Sequence, residues 1–206
     1  VFMLTLMQDP ETYAGGTEET NEIIANLLQL IKLKSAKLYL HSQQVANYAV
    51  SVAAKMRLPR EEIERIRVAA LLHDLGQVTV PTAILMKLPY LSTREKSIFK
   101  NHCNAGSYML ENMASCQELI PYIRYHHERW DGTGYPKRLK GVNIPLGARI
   151  IAVVNHYDRF INPCTQNWQK TNCEAVKELL SLSGMAFDPE VVRAFIEALG
   201  AEPEDI

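Results

Sequence analysis

A chain of 206 residues supports one domain with a sizeable core and is too short for two full ones. Its 22 Lys and Arg against 23 Asp and Glu give a net charge of -1, which excludes a global field that would select a nucleic-acid polymer or a membrane surface as partner. Four cysteines (Cys103, Cys116, Cys164, Cys173) lack C-x-x-C spacing, so they read as reduced thiols of a cytoplasmic protein rather than as a disulfide framework or a zinc knuckle.

The opening run Val1 to Met7 is apolar but too short to span a bilayer, and no basic flank marks it as a secretory signal. Because the first residue is Val rather than Met, an attached sensory domain is left open. Residues 1–20 read as an N-terminal connector, polar from Asp9 and carrying Gly15-Gly16, and residues 21–206 as a helical domain. Apolar spacing at Ile23, Ile24, Leu27, Leu28 and Ile31 predicts the first helix. A second is expected over Leu38 to Met56, where Leu40, Val45, Tyr48, Val52 and Met56 recur at helical steps, and it stops near Leu58-Pro59. Pro59 then opens a third, with Glu61 and Glu62 in its acidic first turn and an all-round apolar end, Val68-Ala69-Ala70-Leu71-Leu72, that marks it as central. Gly76 reads as its stop. After a loop with Pro81 and Pro89, the capping box Ser92-Thr93-Arg94-Glu95 predicts a helix from Thr93 to Met113. The next is expected from Gln117 to Arg129, with His126 and His127 in its last turn, before the turn Asp131-Gly132-Thr133-Gly134-Tyr135-Pro136. Ala148 to Val154 has the composition of a buried strand, but the continuation Asn155-His156-Tyr157-Asp158 favours a helix. Asp188-Pro189 starts the last helix as cap and first residue. The chain reads as all-α, without internal repeats.

The chemistry concentrates where the apolar third helix ends in His73-Asp74, because burying an ionisable pair there costs several kcal/mol unless it is compensated. A metal ion compensates it: imidazole gives a nitrogen ligand, and a carboxylate has two oxygens with which to bridge two cations. His126-His127 repeats the theme, since adjacent helical residues point about 100° apart and serve two neighbouring ions. With His41 and His102 the set reaches five of the six histidines. A lone helical histidine such as His41 or His102 is more often a satisfied or exposed side chain, so it is the joint pattern that points to metal.

His73-Asp74-Leu75-Gly76, Pro81, Ile84-Leu85, His102 with Gly106, His126-His127-Glu128, Asp131-Gly132 and Gly134-Tyr135-Pro136 together resemble the HD-GYP subgroup of HD-domain phosphohydrolases. The upstream His41-Ser42-x-x-Val45-Ala46 and the downstream Phe187-Asp188-Pro189 extend the likeness over nearly the whole chain. The resemblance implies an HD-domain helical bundle that hydrolyses cyclic di-GMP to pGpG or GMP. It implies two divalent ions, iron or manganese, held by His41, His73, Asp74 as bridge, His102, His126 and His127. Gly134, Tyr135 and Pro136 would shape the mouth of the site; Lys137, Arg138 and Lys140 beside them could attract phosphate, although a short basic run is more often a solvated surface. The partners it implies are diguanylate cyclase domains or an attached sensory domain, and a homodimer is compatible with it.

The chain departs from the family pattern at four places. Asn155 stands where the last Asp ligand is usual, leaving a weak or lost ligand. Gln77 replaces the lysine expected to act on the scissile phosphate. Ile161 to Trp168 lacks the usual substrate-contacting Arg-Pro-Tyr-type stretch, and Lys37 stands where members with a third metal carry Glu. Two readings follow: a phosphodiesterase, impaired or altered, and a degenerate module that binds metal or nucleotide weakly and signals through protein contacts.

Overall fold

The computed structural model describes residue 13 and residues 16–162 and 171–200. Most of the connector expected over residues 1–20, Cys164, and the stretch from 163 to Trp168 lie outside the described residues. Helix α1 (Glu18–Lys34) begins inside the span read as a connector, where Thr17 caps it by accepting from the Thr20 amide. It buries Ile24, Leu27, Leu28 and Ile31. Ser35 both ends α1 and caps α2 (Ala36–Lys55), its hydroxyl accepting from the Leu38 amide. Pro59 is the cap, not the first residue, of α3 (Arg60–Leu72).

Helix α3 runs through the centre as its composition predicts: Val68, Ala69, Ala70 and Leu72 are fully buried. Sealing a Val or Leu side chain in this way contributes on the order of 1.5–3 kcal/mol each. Helix α2 packs on α1, α3, α8 (Leu146–Ile161) and α10 (Pro189–Ala198), which makes it the hub of the bundle. The ambiguous run at 148–154 is therefore helical, within α8. Asp188 caps α10 through the Glu190 amide, as expected. No β-strand occurs among the described residues, where one bridge joins Ser183 and Phe187. Nor is any described helix long and apolar enough to cross a membrane.

Several expected boundaries are corrected. The helix expected from Thr93 to Met113 is two, α5 (Thr93–Lys100) and α6 (His102–Leu110), broken at Asn101. The break comes where the His102 ring takes the Phe99 carbonyl for its Nδ1. The helix expected from Gln117 to Arg129 is a 3-10 turn (Ala114–Leu119) followed by α7 (Ile120–Tyr125). Pro121 explains its start, since a residue without an N–H is tolerated only in the first helical turn. His126 and His127 thus follow the helix instead of forming its last turn. Gly76 does not stop α3, which ends at Leu72; it lies in a 3-10 turn (Leu75–Thr79). A short α4 (Thr82–Leu85) and α9 (Asn172–Leu182) have no counterpart in the sequence reading, although the Thr171–Glu174 capping box marks the start of α9.

Candidate metal centre

Three histidines share one local device. The Nδ1 of His73, His102 and His126 lies 2.7, 2.6 and 2.7 Å from the carbonyls of Ala70, Phe99 and Ile123, each three residues back. A carbonyl only accepts, so the proton sits on Nδ1 and Nε2 turns inward. The three come from different ends: α3, α6 and α7. What lets them meet is Gly76, where an added Cβ would stand 1.9 Å from the His102 carbonyl oxygen and 2.6 Å from the Gly106 nitrogen. The glycine of His73-Asp74-x-Gly76 serves close packing of the turn after α3 on the first turn of α6.

Asp74 is fully buried at the focus. Its Oδ1 lies 3.3 Å from His102 Nε2 and 4.0 Å from His126 Nε2; its Oδ2 lies 3.3 Å from His73 Nε2 and 4.0 Å from His41 Nε2. These approaches are close in distance but not all are hydrogen bonds. Asp74 Oδ1 and the Nε2 atoms of His73, His126 and His127 are buried without a hydrogen-bond partner. Leaving such an atom unsatisfied costs about 1–3 kcal/mol. Burial alone would raise the Asp74 carboxyl, yet His73 and Arg159 hold it well below the usual carboxylate range. Burial pushes His126 and His127 well below the ordinary imidazole value, so both present lone pairs at neutral pH. His102 differs: burial would lower it, but the Asp74 carboxylate and Cys103 raise it to about 10, so an ion at its Nε2 displaces a proton. The inward-facing, unpartnered nitrogens of His73, His126 and His127 beside a buried carboxylate fit a cation.

The donors form two groups, His41 with His73 and Asp74, and His102 with Cys103, His126 and His127. Cys103 escaped the sequence reading. Its thiol lies 3.5 Å from His102 Nε2, and only its place next to His102 in the chain hinted at this. His41 is differently engaged from the others: its Nδ1 contacts Asp158 Oδ2 at 2.5 Å and its Nε2 lies 3.1 Å from Asn155 Oδ1. Asn155, on α8 and buried, also accepts from Arg159 Nε at 2.8 Å. Arg159 Nη2 in turn donates to Asp74 Oδ2 at 2.7 Å. Arg159 was also missed, although it lies one helical turn after Asn155.

Beside the centre opens a cavity of about 350 Å³, small for a ligand pocket, with His126, His127, Tyr135, Lys100, Asn155 and Arg159 in its wall. Tyr135 stacks on His127 with ring centroids 4.9 Å apart, and Lys100 Nζ stands 4.8 Å over the Tyr135 ring. Gly134 also lines it; a Cβ there would come within 2.4 Å of the Arg129 nitrogen, so only glycine fits. Lys137 and Arg138 are exposed, and neither they nor Pro136 line this cavity. Lys137 contributes its backbone instead: Glu128, buried, accepts from the amides of Lys137 at 2.6 Å and Leu139 at 3.0 Å and so closes the Gly-Tyr-Pro loop. Gln77 is buried with its amide nitrogen unpartnered, and it does not reach the cavity wall.

The model of the HD domain family matches residues 26–191. A cyclic di-GMP phosphodiesterase of Thermotoga maritima is 33% identical over 178 residues, 85% of this chain and 48% of that protein. The cyclic di-GMP phosphodiesterase PA4108 of Pseudomonas aeruginosa is 35% identical over 182 residues, 86% of this chain and 43% of that protein. The chain thus spans less than half the length of either relative. Among solved structures, the HDG"Y"P protein Bd1817 of Bdellovibrio bacteriovorus superposes with a TM-score of 0.67 at 20% identity, over 96% of this chain and 68% of that one. At that identity the likeness speaks for the fold.

Proposed function

Since the chain belongs to the HD domain family, in its HD-GYP branch, we propose that it is a metal-dependent phosphodiesterase that hydrolyses cyclic di-GMP to pGpG or GMP. The observation that carries this reading is the set of unpartnered, buried Nε2 atoms of His73, His126 and His127 near Asp74, of which His126 and His127 line a cavity that also presents Lys100 and Arg159. Imidazole with carboxylate suits iron or manganese, and the two donor groups support a reading of up to two ions. When bound, a divalent ion lowers the pKa of a water and neutralises charge on the phosphoryl oxygens.

The rest of the work falls to the chain's own residues. His73, His102 and His126 hold metal donors in directions fixed by their carbonyl anchors, His127 adds a further donor, and Asp74 brings the negative charge that would retain a cation. Lys100 and Arg159 offer charge to the phosphodiester, where a guanidinium also gives directional hydrogen bonds. Tyr135 stands at the wall stacked on His127, and a base would stack on its ring in place of the Lys100 ammonium. These cations take the part that the family lysine would have played at position 77.

The test is turnover of cyclic di-GMP by manganese- or iron-loaded protein, with cyclic di-AMP as the control substrate. Lys100→Gln should lower kcat/KM about tenfold, the loss of roughly 1.4 kcal/mol of charge-assisted contact. Metal-loaded protein that binds cyclic di-GMP but never cleaves it would support the second reading, a module that signals through protein contacts. One observation favours that alternative: the Asn155 amide oxygen is already engaged by His41 and Arg159.

A further inference from the structure

The two oxygens of Asp74 are not equivalent. Oδ1 faces His102 and His126 and has no hydrogen-bond partner. Oδ2, which faces His41 and His73, already accepts from Arg159 Nη2 at 2.7 Å. The same guanidinium is anchored a second time, by its Nε on Asn155 Oδ1 at 2.8 Å across one turn of α8. His41 Nε2 is turned to that amide oxygen at 3.1 Å, so two of the donors that an ion in this half would need, the Asn155 oxygen and the Asp74 oxygen, are taken by one cation. On the Oδ2 side only His73 Nε2 lacks a partner, whereas on the other side Nε2 of His126, Nε2 of His127 and Oδ1 of Asp74 all do.

Charge points the same way. The carboxylates at the centre are Asp74 and Asp158, and Asp158 is occupied by His41 Nδ1 and by the Asn162 amide. On the Oδ2 side that leaves only the negative charge of Asp74, which already faces Arg159. A second dication on Oδ2 would sit against the guanidinium with no further anion to offset either, because position 155 carries a neutral amide.

Resting on the metal-centre reading above, we propose that Arg159 is a tethered cation in the place of one metal ion on Asp74 Oδ2, so that the chain holds a single divalent ion on the His102, Cys103, His126 and His127 side. Asn155 and Arg159 then work as a unit. An amide at 155 orients the guanidinium toward Asp74, whereas an aspartate would bind the guanidinium itself. Changing Asn155 alone therefore does not create a second metal position.

The experiment loads the full chain with Mn(II), removes free metal, and counts ions per chain by elemental analysis. EPR separates isolated Mn(II) from an exchange-coupled pair. Wild-type protein should hold close to one ion with an uncoupled spectrum, and Asn155→Asp should do the same. Asn155→Asp combined with Arg159→Ala should approach two with a coupled spectrum. Asn155→Asp with Arg159→Gln, which keeps the polar stem, repeats the comparison should the alanine variant not fold. Two ions in wild-type protein, or one in the folded double variants, would overturn the role of Arg159 while leaving the metal centre intact. No ion in any of the proteins overturns the metal-centre reading and the inference with it.

Discussion

Gly76 and His102 are in backbone contact: a Cβ on Gly76 would lie 1.9 Å from the His102 carbonyl oxygen. The contact is between main chains, so no side chain can swing aside to relieve it. Gly76→Ala must push the turn after α3 away from α6. Overpacking of this kind costs about 1–3 kcal/mol, and Tm should fall by about 2–4 °C for each kcal/mol. Metal content should fall with it, because the shift separates His73 and Asp74 from His102. A variant with unchanged Tm and metal content would show that the turn has room to spare.

Metal removal should destabilise the fold. A ligand present at about a thousand times its Kd stabilises the state that binds it by about 4 kcal/mol. The orphaned atoms of Asp74, His126 and His127 are the groups that would lose a partner with the ion. Manganese-reconstituted protein is expected to melt several degrees higher than the same protein in chelator. The double variant His126→Ala with His127→Ala should melt alike in both. Equal melting of the reconstituted wild type with and without chelator would count against a resident ion.

Glu128 holds the Gly134-Tyr135-Pro136 loop by accepting two backbone amides from its far side. Hydrogen bonds to a charged acceptor are worth about 1.5–3 kcal/mol each, so Glu128→Ala should cost about 2–4 kcal/mol in urea unfolding. Glu128→Gln keeps one oxygen acceptor and should fall between. Because Tyr135 stacks on His127, substrate affinity should weaken in the same order. An alanine variant within about 0.5 kcal/mol of wild type would show that the loop is held elsewhere.

Cys103 places a soft donor among the candidate nitrogen ligands. Thiolate coordination to Co(II) gives an intense near-ultraviolet charge-transfer band, and Cys103→Ser should lose it and shift preference away from zinc. Identical spectra for the two proteins would leave the thiol as packing.

Much of the fold was legible because its helices carry local signals. The periodicity of Ile23 to Ile31, the apolar end of α3, the Ser92 capping box and the Asp188-Pro189 start all mark real helices. The breaks were not legible. Asn101 divides α5 from α6 where a histidine ring takes a backbone carbonyl, and that choice depends on where the ring is needed. At the site, the expected His73, Asp74, His102, His126 and His127 converge, and His41 comes within 4.0 Å of Asp74. Arg159 and Cys103 stayed hidden because an arginine on a helix and a cysteine beside a histidine are ordinary until the chain folds. Lys100 was hidden for the same reason: its meaning comes from Tyr135, thirty-five positions later in the sequence.

The carbonyl anchors of His73, His102 and His126 set how the centre fills. Each ring is locked to a main-chain carbonyl three residues back, so it cannot turn over without breaking that bond. The donor directions are therefore settled when the helices pack, and no ring has to search for its orientation when an ion arrives. Loading becomes a matter of passage past Tyr135 and Lys100 and of stripping water from the ion. Uptake and exchange rates then report on the mouth of the cavity rather than on refolding of its floor.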